Sequence, residues 1–417
     1  MSKKHIQTLG GHYTVSEIIA NSSKENKSFK CTTLPYEHLI QNLSNFIKPN
    51  PSVIMENSEI SLKNYSKIIK YPLSIYQNLH LEPDASNIAN ELEGLKRYNI
   101  ALICDVTSED DGLNRKVLRE VQNLSKIPIC CGHTIDIASI KNIDVYIKDL
   151  EYTIVYGKDL ESLTFHPSFL KLSIDNSAEV IESKEKYNKI AVDIVDKYQI
   201  PLFVSLGRKL ITEPNDGLID VLNALQIKNR SKLVFACPLN DSYVLDDKIK
   251  ETIRNNVGNL VCNDYCVVIT LFDFDKGGDK MMDVPFNHWK AVFVKELITA
   301  NKSKLSHLFL SNNLNYKIQL KKFGGFGYEN LFENYLEIIT KELTKEEKDA
   351  ILFENLLSLL AFWEELKPIE KTAKYVTCEN CGGKKDENDE SVFRKFNKSY
   401  CSFQCLKEWL SKNKGKY

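Results

Sequence analysis

The chain lacks a surplus of charge of either sign: 55 Lys and Arg stand against 56 Asp and Glu, a formal net charge of −1 over 417 residues. No global field draws a polyanion to it, so nucleic-acid binding would need a local basic patch. Lys384–Lys385 with Arg394 to Lys398, and the tail Lys412 to Lys416, are the patches available. A solvated lysine-rich surface is the competing reading of both. Also missing are a signal peptide and any apolar stretch of the roughly 20 residues that span a bilayer. That predicts a cytoplasmic protein with no membrane partner. There is no internal repeat and no low-complexity tract. Nor is there a Gly-rich phosphate loop, since Gly324-Gly325-Phe326-Gly327 does not follow a strand as such a loop must.

What the chain does have is 11 cysteines in two kinds of setting. Cys31, Cys104, Cys130, Cys131, Cys237, Cys262 and Cys266 are scattered, mostly inside apolar runs, as reduced thiols of a cytosolic protein are. The other four form Cys378-Glu-Asn-Cys381 and Cys401-Ser-Phe-Gln-Cys405, two short pairs joined by a polar loop. Zn²⁺ takes four thiolates tetrahedrally at about 2.3 Å, and pairs on tight turns meet that geometry. The pattern predicts a closed structural Zn²⁺ site on Cys378, Cys381, Cys401 and Cys405, with no position for substrate. Gly382-Gly383 suits a turn that needs positive φ. Tyr400, Leu406 and Trp409 supply the few apolar contacts such a module requires. YCSFQC followed by an amphipathic helix resembles treble-clef fingers of the MYND or TRASH kind.

Elsewhere short apolar runs alternate with longer amphipathic ones, the pattern of β-α units. Strands are predicted at Ser52 to Met55, Leu73 to Tyr76, Ile100 to Asp105, Ile127 to Cys131, Leu170 to Ile174, Leu202 to Ser205, Leu233 to Ala236 and Cys266 to Leu271. Helical patterns fall at Ser86 to Arg97, Leu113 to Leu124, Ala178 to Tyr198, Gly217 to Ala224 and Lys248 to Asn255. Such a series predicts an α/β fold, a (β/α)₈ TIM-type barrel, although an open doubly wound sheet reads similarly. Helices follow at Trp289 to Ala300, Asn330 to Leu343 and Lys345 to Leu366, before Pro368. The expected organisation is a barrel over 1–320, a helical extension over 321–370 and a small C-terminal finger over 371–417.

Three stretches resemble the tRNA-guanine transglycosylase family, in order and over about residues 50–320. Leu81-Glu-Pro83-Asp84-Ala-Ser86-Asn-Ile88, running on to Ile100-Ala-Leu-Ile-Cys-Asp105, resembles the family's Pro-Glu-x-Ser helix and the strand ending in its catalytic Asp. Leu202-Phe-Val-Ser205-Leu206-Gly207, with Glu213-Pro214 beyond, is similar to its Gly-Gly substrate strand and Gly-Glu-Pro continuation. Trp289 to Ala300 followed by Ser311-Asn312-Asn313-Leu314-Asn-Tyr316 parallels its Arg-Ala-Tyr-Leu helix and His-Asn-Leu-x-Tyr. The departures are as plain. Met55-Glu56-Asn57-Ser58-Glu59-Ile60 stands where the family has Asp-Ser-Gly-Gly-Phe-Gln, Asn312 stands at the metal His, and the zinc signature is absent. Asn263-Asp264-Tyr265-Cys266 offers a nucleophile only with a one-residue shift.

The resemblance implies a purine or 7-deazaguanine-type base as ligand and its transfer to a macromolecular acceptor. Because divergent relatives sit beside DNA-modification and antiviral defence genes, the acceptor need not be tRNA. Base exchange passes through an oxocarbenium-like state, which asks for carboxylates about 5 to 9 Å apart across one pocket at the barrel mouth. Asp105 is the candidate general acid or base, and Asp264 the weaker second carboxylate. A loop carboxylate without chemistry is the competing reading of each. Ser58, Ser108, His133, Ser205 and Gly207 are the candidate substrate contacts. Cys262, Cys266 and His288 could form a metal site in the barrel, and buried thiols explain the cysteines as well. Phe323-Gly-Gly-Phe-Gly-Tyr328 reads either as a stacking lid or as a turn between helices. Without a carboxylate pair, the alternative is a catalytically inactive scaffold or homodimer subunit that binds a partner protein.

Overall fold

Eight parallel strands frame the larger of two units. The computed structural model describes residues 4–22, 30–48, 59–81, 84–160, 163–214, 217–272, 287–363, 375–386, 392–395 and 398–413. The frame strands are β1 (Thr32–Glu37), β2 (Ile100–Asp105), β3 (Ile129–Ile135), β4 (Phe169–Ile174), β5 (Leu202–Leu206), β6 (Leu233–Pro238), β7 (Cys266–Thr270) and β8 (Leu308–Ser311). Each pairs in parallel with its neighbour in chain order. Helices cross between them, among them Arg115–Ser125, Ile143–Tyr156, Asp247–Cys262 and His288–Ala300. This is the α/β TIM-type barrel expected.

The seam between β1 and β8 is closed by side chains. Tyr36 N donates to Ser311 Oγ at 3.0 Å. Glu37, fully buried, accepts from Ser311 Oγ and Asn312 N at 2.7 Å each, from Asn313 N at 3.0 Å and from Leu314 N at 3.4 Å. One carboxylate thus gathers the backbone donors where β8 ends.

Side chains alternate between two environments along every strand. Leu34, Ile103, Ile129, Leu170, Leu172, Val204, Phe235, Val267 and Leu310 belong to the large core shared with the helices. Cys104, Cys130, Phe169, Phe203, Val234, Val268 and Phe309 fill the barrel. The rings of Phe169 and Phe203 lie 4.7 Å apart at its centre. A Cβ at position 132 would come within 2.4 Å of the Phe169 ring, so Gly132 on β3 makes that packing available.

Six expected strands coincide with observed ones, and one is corrected. Leu73 to Tyr76 is not a strand: Pro72–Ser74 and Tyr76–Leu79 are 3₁₀ turns, packed with Leu43, Ile68 and Ile318. A four-residue apolar run carries no periodicity to separate the two, and Pro72 fixes the turn's φ. Ser52 to Met55 lies outside the described residues. β1 and β8, which the apolar runs do not announce, complete the set of eight.

The second unit, Lys367–Tyr417, is a small module. It holds the hairpins Tyr375–Thr377 with Lys384–Asp386 and Phe393–Lys395 with Lys398–Tyr400, then the helix Phe403–Lys412. Ser402 caps that helix, accepting from Cys405 N at 3.2 Å. Gly382 has φ of 73°, as its turn requires. Tyr400, Leu406, Trp409 and Cys378 form its core.

Candidate functional site

The C-terminal ends of the strands surround a cavity of about 360 Å³, at the face where barrels of this type carry their sites. Inward positions one step above the aromatic layer build it: Tyr36 on β1 and His38 just after it, Lys171 and Ser173 from β4, Ser205 on β5 and Gly207 just after it, Thr270 from β7 and Asn313 beyond β8. Lys171 follows Phe169 by two residues and so shares its inward face. Its ammonium donates to Val106 O at 2.5 Å, and the side chain is 6% exposed. Tyr36 Oη and Ser205 Oγ are hydrogen-bonded to each other across the cavity. His38 Nδ1 meets Thr107 Oγ1 at 3.0 Å, and burial, then the Lys171 charge, holds its pKa well below 6.5. The imidazole is neutral beside a cation.

Two acceptors in this cavity are unmet. Asn313 Nδ2 donates to Phe272 O at 3.1 Å, which fixes the amide and leaves Oδ1 buried with no partner among the described residues. Gln41 Oε1 is in the same state. The two residues are 7% and 3% exposed, and an unpaired buried acceptor costs about 1–3 kcal/mol. Gly207 is required where it stands, because a Cβ there would come within 2.2 Å of Asp175 O. Its N–H donates to Ile174 O at 2.6 Å, keeping the ends of β4 and β5 together.

Among the expected site residues, Ser205 and Gly207 line the cavity. Asp105 does not. It shares the outward face of β2 with Ile103, and its carboxylate accepts from Leu39 N at 2.8 Å and Thr107 N at 3.1 Å, fastening the loops after β1 and β2. Ser108 is not on the lining itself, and its hydroxyl donates at 2.5 Å to Oδ2 of Asp111, which is. His133, also outward-facing on its strand, neighbours Glu109 and Arg115, and burial lowers its pKa. Asp264 sits in an exposed turn before β7, at the opposite end of the barrel, paired with Lys304 at 2.6 Å. No Asp105–Asp264 pair can span one pocket. Ser58 lies outside the described residues.

The proposed in-barrel metal set is corrected too. Cys266 opens β7 at the barrel floor, its Sγ donating to Ser231 O at 3.2 Å. His288 opens the helix whose Lys290 donates to Leu271 O, at the mouth end of the same strand. They are about a strand length apart, roughly 13 Å. The Phe323 to Tyr328 stretch is a turn: Gly324 and Gly327 have positive φ, and Tyr328 Oη donates to His38 O at 2.6 Å.

Burial raises the Asp105 pKa from 3.8 to about 6, against the pull of the Leu39 and Thr107 donors and of Lys171. The folded state therefore holds this proton more tightly than the unfolded one, so the contribution to stability is full below pH 3.8 and is lost as pH rises through about 6. The displacement corresponds to roughly 3 kcal/mol at most. Asp105→Asn removes the slope. The stability difference between wild type and variant, from urea midpoints at several pH values, is expected to shrink by that order between pH 4 and 7. A difference constant across that range would refute the assignment.

In the small unit, the four cysteine Sγ atoms lie within 4.8 Å of one another, with 3.6 Å between Cys381 and Cys401 and 3.4 Å between Cys401 and Cys405. Sulfurs about 2.3 Å from a central ion stand about 3.8 Å apart, so the set fits a tetrahedral metal. It is the one group of three or more ligating side chains so gathered among the described residues. Burial pushes the Cys378 thiol up, but the N–H groups of Cys381, Cys401 and Asn380 outweigh it and hold the pKa at about 6.

Among solved structures, the chain is similar to a resiniferatoxin-binding protein from Rhodobacter sphaeroides, with a TM-score of 0.66 and 16% identity over 85% of this chain and 94% of that one. The fold is of one kind. A second similar structure is the phosphotriesterase homology protein from Escherichia coli, complexed with phosphate in its active site, with a TM-score of 0.56 and 15% identity over 79% and 98%. At these identities the likeness is one of fold. No family model and no curated protein matches the chain. Among the described residues, no helix is long and apolar enough to cross a membrane.

Sequence reasoning missed Lys171, Tyr36 and His38. Lys171 carries a readable signal: a lysine in the centre of the apolar run Phe169–Ile174 is rarely buried without a task.

Proposed function

We propose that the barrel mouth binds a small, flat, polar heterocycle of the purine or 7-deazaguanine class. The observation that carries this reading is the pair of buried, unmet acceptors, Gln41 Oε1 and Asn313 Oδ1, in a cavity that also holds the Lys171 ammonium. A guanine-type edge presents N–H donors beside a carbonyl oxygen, which is the complement of two acceptors and a cation. About 360 Å³ is ample for such a base and within the usual range for ligand pockets. Both similar structures come from ligand-handling proteins, one named for binding a toxin and one holding phosphate.

Transfer of the base to a macromolecular acceptor, which the transglycosylase resemblance adds, needs carboxylates facing the sugar. Asp105 and Glu37 are both turned away and occupied by backbone donors. Of the carboxylates on the cavity, Asp111 is engaged by Ser108 and Asp175 lies at the exposed rim. The geometry therefore favours a binding barrel over a transferase. For the small unit, the reading is a structural Zn²⁺ held by Cys378, Cys381, Cys401 and Cys405.

Calorimetric titration with guanine and 7-deazaguanine tests the mouth. Saturable binding is expected in the wild type, together with a rise in melting temperature of a few degrees at a hundredfold excess over Kd. Binding should weaken at least tenfold in Asn313→Ala and in Lys171→Met. Absence of heat and of any melting shift with all purines and deazapurines at millimolar concentration would overturn the proposal.

A further inference from the structure

The barrel floor holds a second cavity, of a different chemistry. The N-terminal hairpin pairs Lys4–Thr8 with Gly11–Thr14, placing Gln7 opposite His12. Strand alternation puts His5 on the same face as Gln7. The hairpin is fastened across the N-terminal ends of the strands: Leu9 N donates to Ile129 O at 2.9 Å, Cys130 Sγ to Gln7 O at 3.1 Å, and Ser168 Oγ to Gln7 O at 2.8 Å. Beside it lies a cavity of about 220 Å³, whose walls include Gln7, His12, Ile154, His166, Ile200 and Leu360.

Its chemistry is specific. Gln7 is 7% exposed, and its Nε2 donates to Thr8 O at 2.8 Å. That fixes the amide and leaves Oε1 buried, with no partner among the described residues. The His12 and His166 rings stand 6.0 Å apart, tilted by 55°. His12 is exposed on one side; its partial burial, followed by the neighbouring His166 and His5, lowers its pKa from 6.5 and favours the uncharged ring at neutral pH. None of the lining residues is Lys, Arg, Asp or Glu. An ion entering this cavity would find no countercharge on its walls to offset the hydration it gives up. An apolar body is welcome against Ile154, Ile200 and Leu360, and one donor is wanted by Gln7; the buried Tyr198 hydroxyl, also on the lining, lies beside Lys197 and Glu151.

We propose that this floor cavity binds a small uncharged aromatic bearing a single N–H or O–H donor, of the indole or phenol class. The aromatic body packs between the imidazoles and the aliphatic wall, and the donor satisfies Gln7 Oε1. The site stands on its own, since it shares no lining residue with the mouth. A site built to pair a donor also rejects the analogue that lacks it.

The test is a titration of the full chain with indole and with N-methylindole, which keeps the ring and loses the donor. Indole is expected to bind saturably, with N-methylindole at least tenfold weaker. Gln7→Met should erase the difference between the two, and Ile154→Trp, which fills the cavity, should abolish indole binding. The wild-type comparison decides even where a variant fails to fold. No saturable indole binding at millimolar concentration, equal affinity for both compounds, or indole binding undiminished in a folded Ile154→Trp would each overturn the proposal.

Discussion

Glu37→Gln is expected to destabilise the barrel by about 3–5 kcal/mol, more than any other single polar substitution in the larger unit. The carboxylate accepts from Ser311 Oγ and from three consecutive backbone N–H groups, and every one of these contacts is buried. An amide keeps one acceptor oxygen and turns an NH₂ toward two N–H donors, so it both unpairs them and crowds them. The consequence is local to the seam. Without its carboxylate, β8 has only Tyr36 N on Ser311 Oγ to hold it to β1 among the side-chain bonds described. Burial pushes Glu37 up to about 7, and the four donors oppose that push. Urea unfolding followed by far-UV circular dichroism measures the loss. Glu37→Asp, which keeps the charge on a shorter stem, should fall between wild type and Gln. A Glu37→Gln protein within 1 kcal/mol of wild type would mean that this carboxylate is not what holds the seam.

How much of this was legible in the sequence depends on where each signal lives. Strands buried on both faces write themselves as apolar runs, and β2 to β7 were found that way. The edges of the closure were not. Thr32–Glu37 contains Pro35 and polar threonines, and its pairing with β2 shifts register between Leu34 and Glu37, so it breaks the rule that a central strand excludes proline. Leu308–Ser311 is only four residues long and reads as the tail of a helix. Missing β1 hid Tyr36 and His38, and with them one wall of the site. Asp105 shows a second limit. Its place at a strand end was right, but the face was not, because alternation with Ile103 and Cys104 decides which way it points. The parity of an isolated strand is invisible until its neighbours declare which side is helix and which is barrel interior.

The cysteine cluster was legible because a metal site writes its geometry into local spacing, and it carries the other large expectation. Chelation of the protein, or Cys378→Ser, is expected to unfold Lys367–Tyr417 while leaving the barrel unit folded. A core of Tyr400, Leu406, Trp409 and Cys378 is too small to hold some fifty residues against chain entropy of about 1–2 kcal/mol per residue. A structural zinc contributes about 10–16 kcal/mol in modules of this size, so the metal decides whether the unit folds. The ring pair of Tyr400 and Trp409, 5.6 Å apart and edge-to-face, offers a fluorescence reporter for that unit. The barrel has its own core of Phe169, Phe203, Val234 and Phe309, which owes nothing to the cysteines. Metal analysis should find one Zn²⁺ per chain in the wild type and none in Cys378→Ser. Calorimetry after chelation should lose one transition and keep the other. A single cooperative collapse of the whole chain would refute the independence of the units, and a metal-free wild type purified with added Zn²⁺ would refute the site.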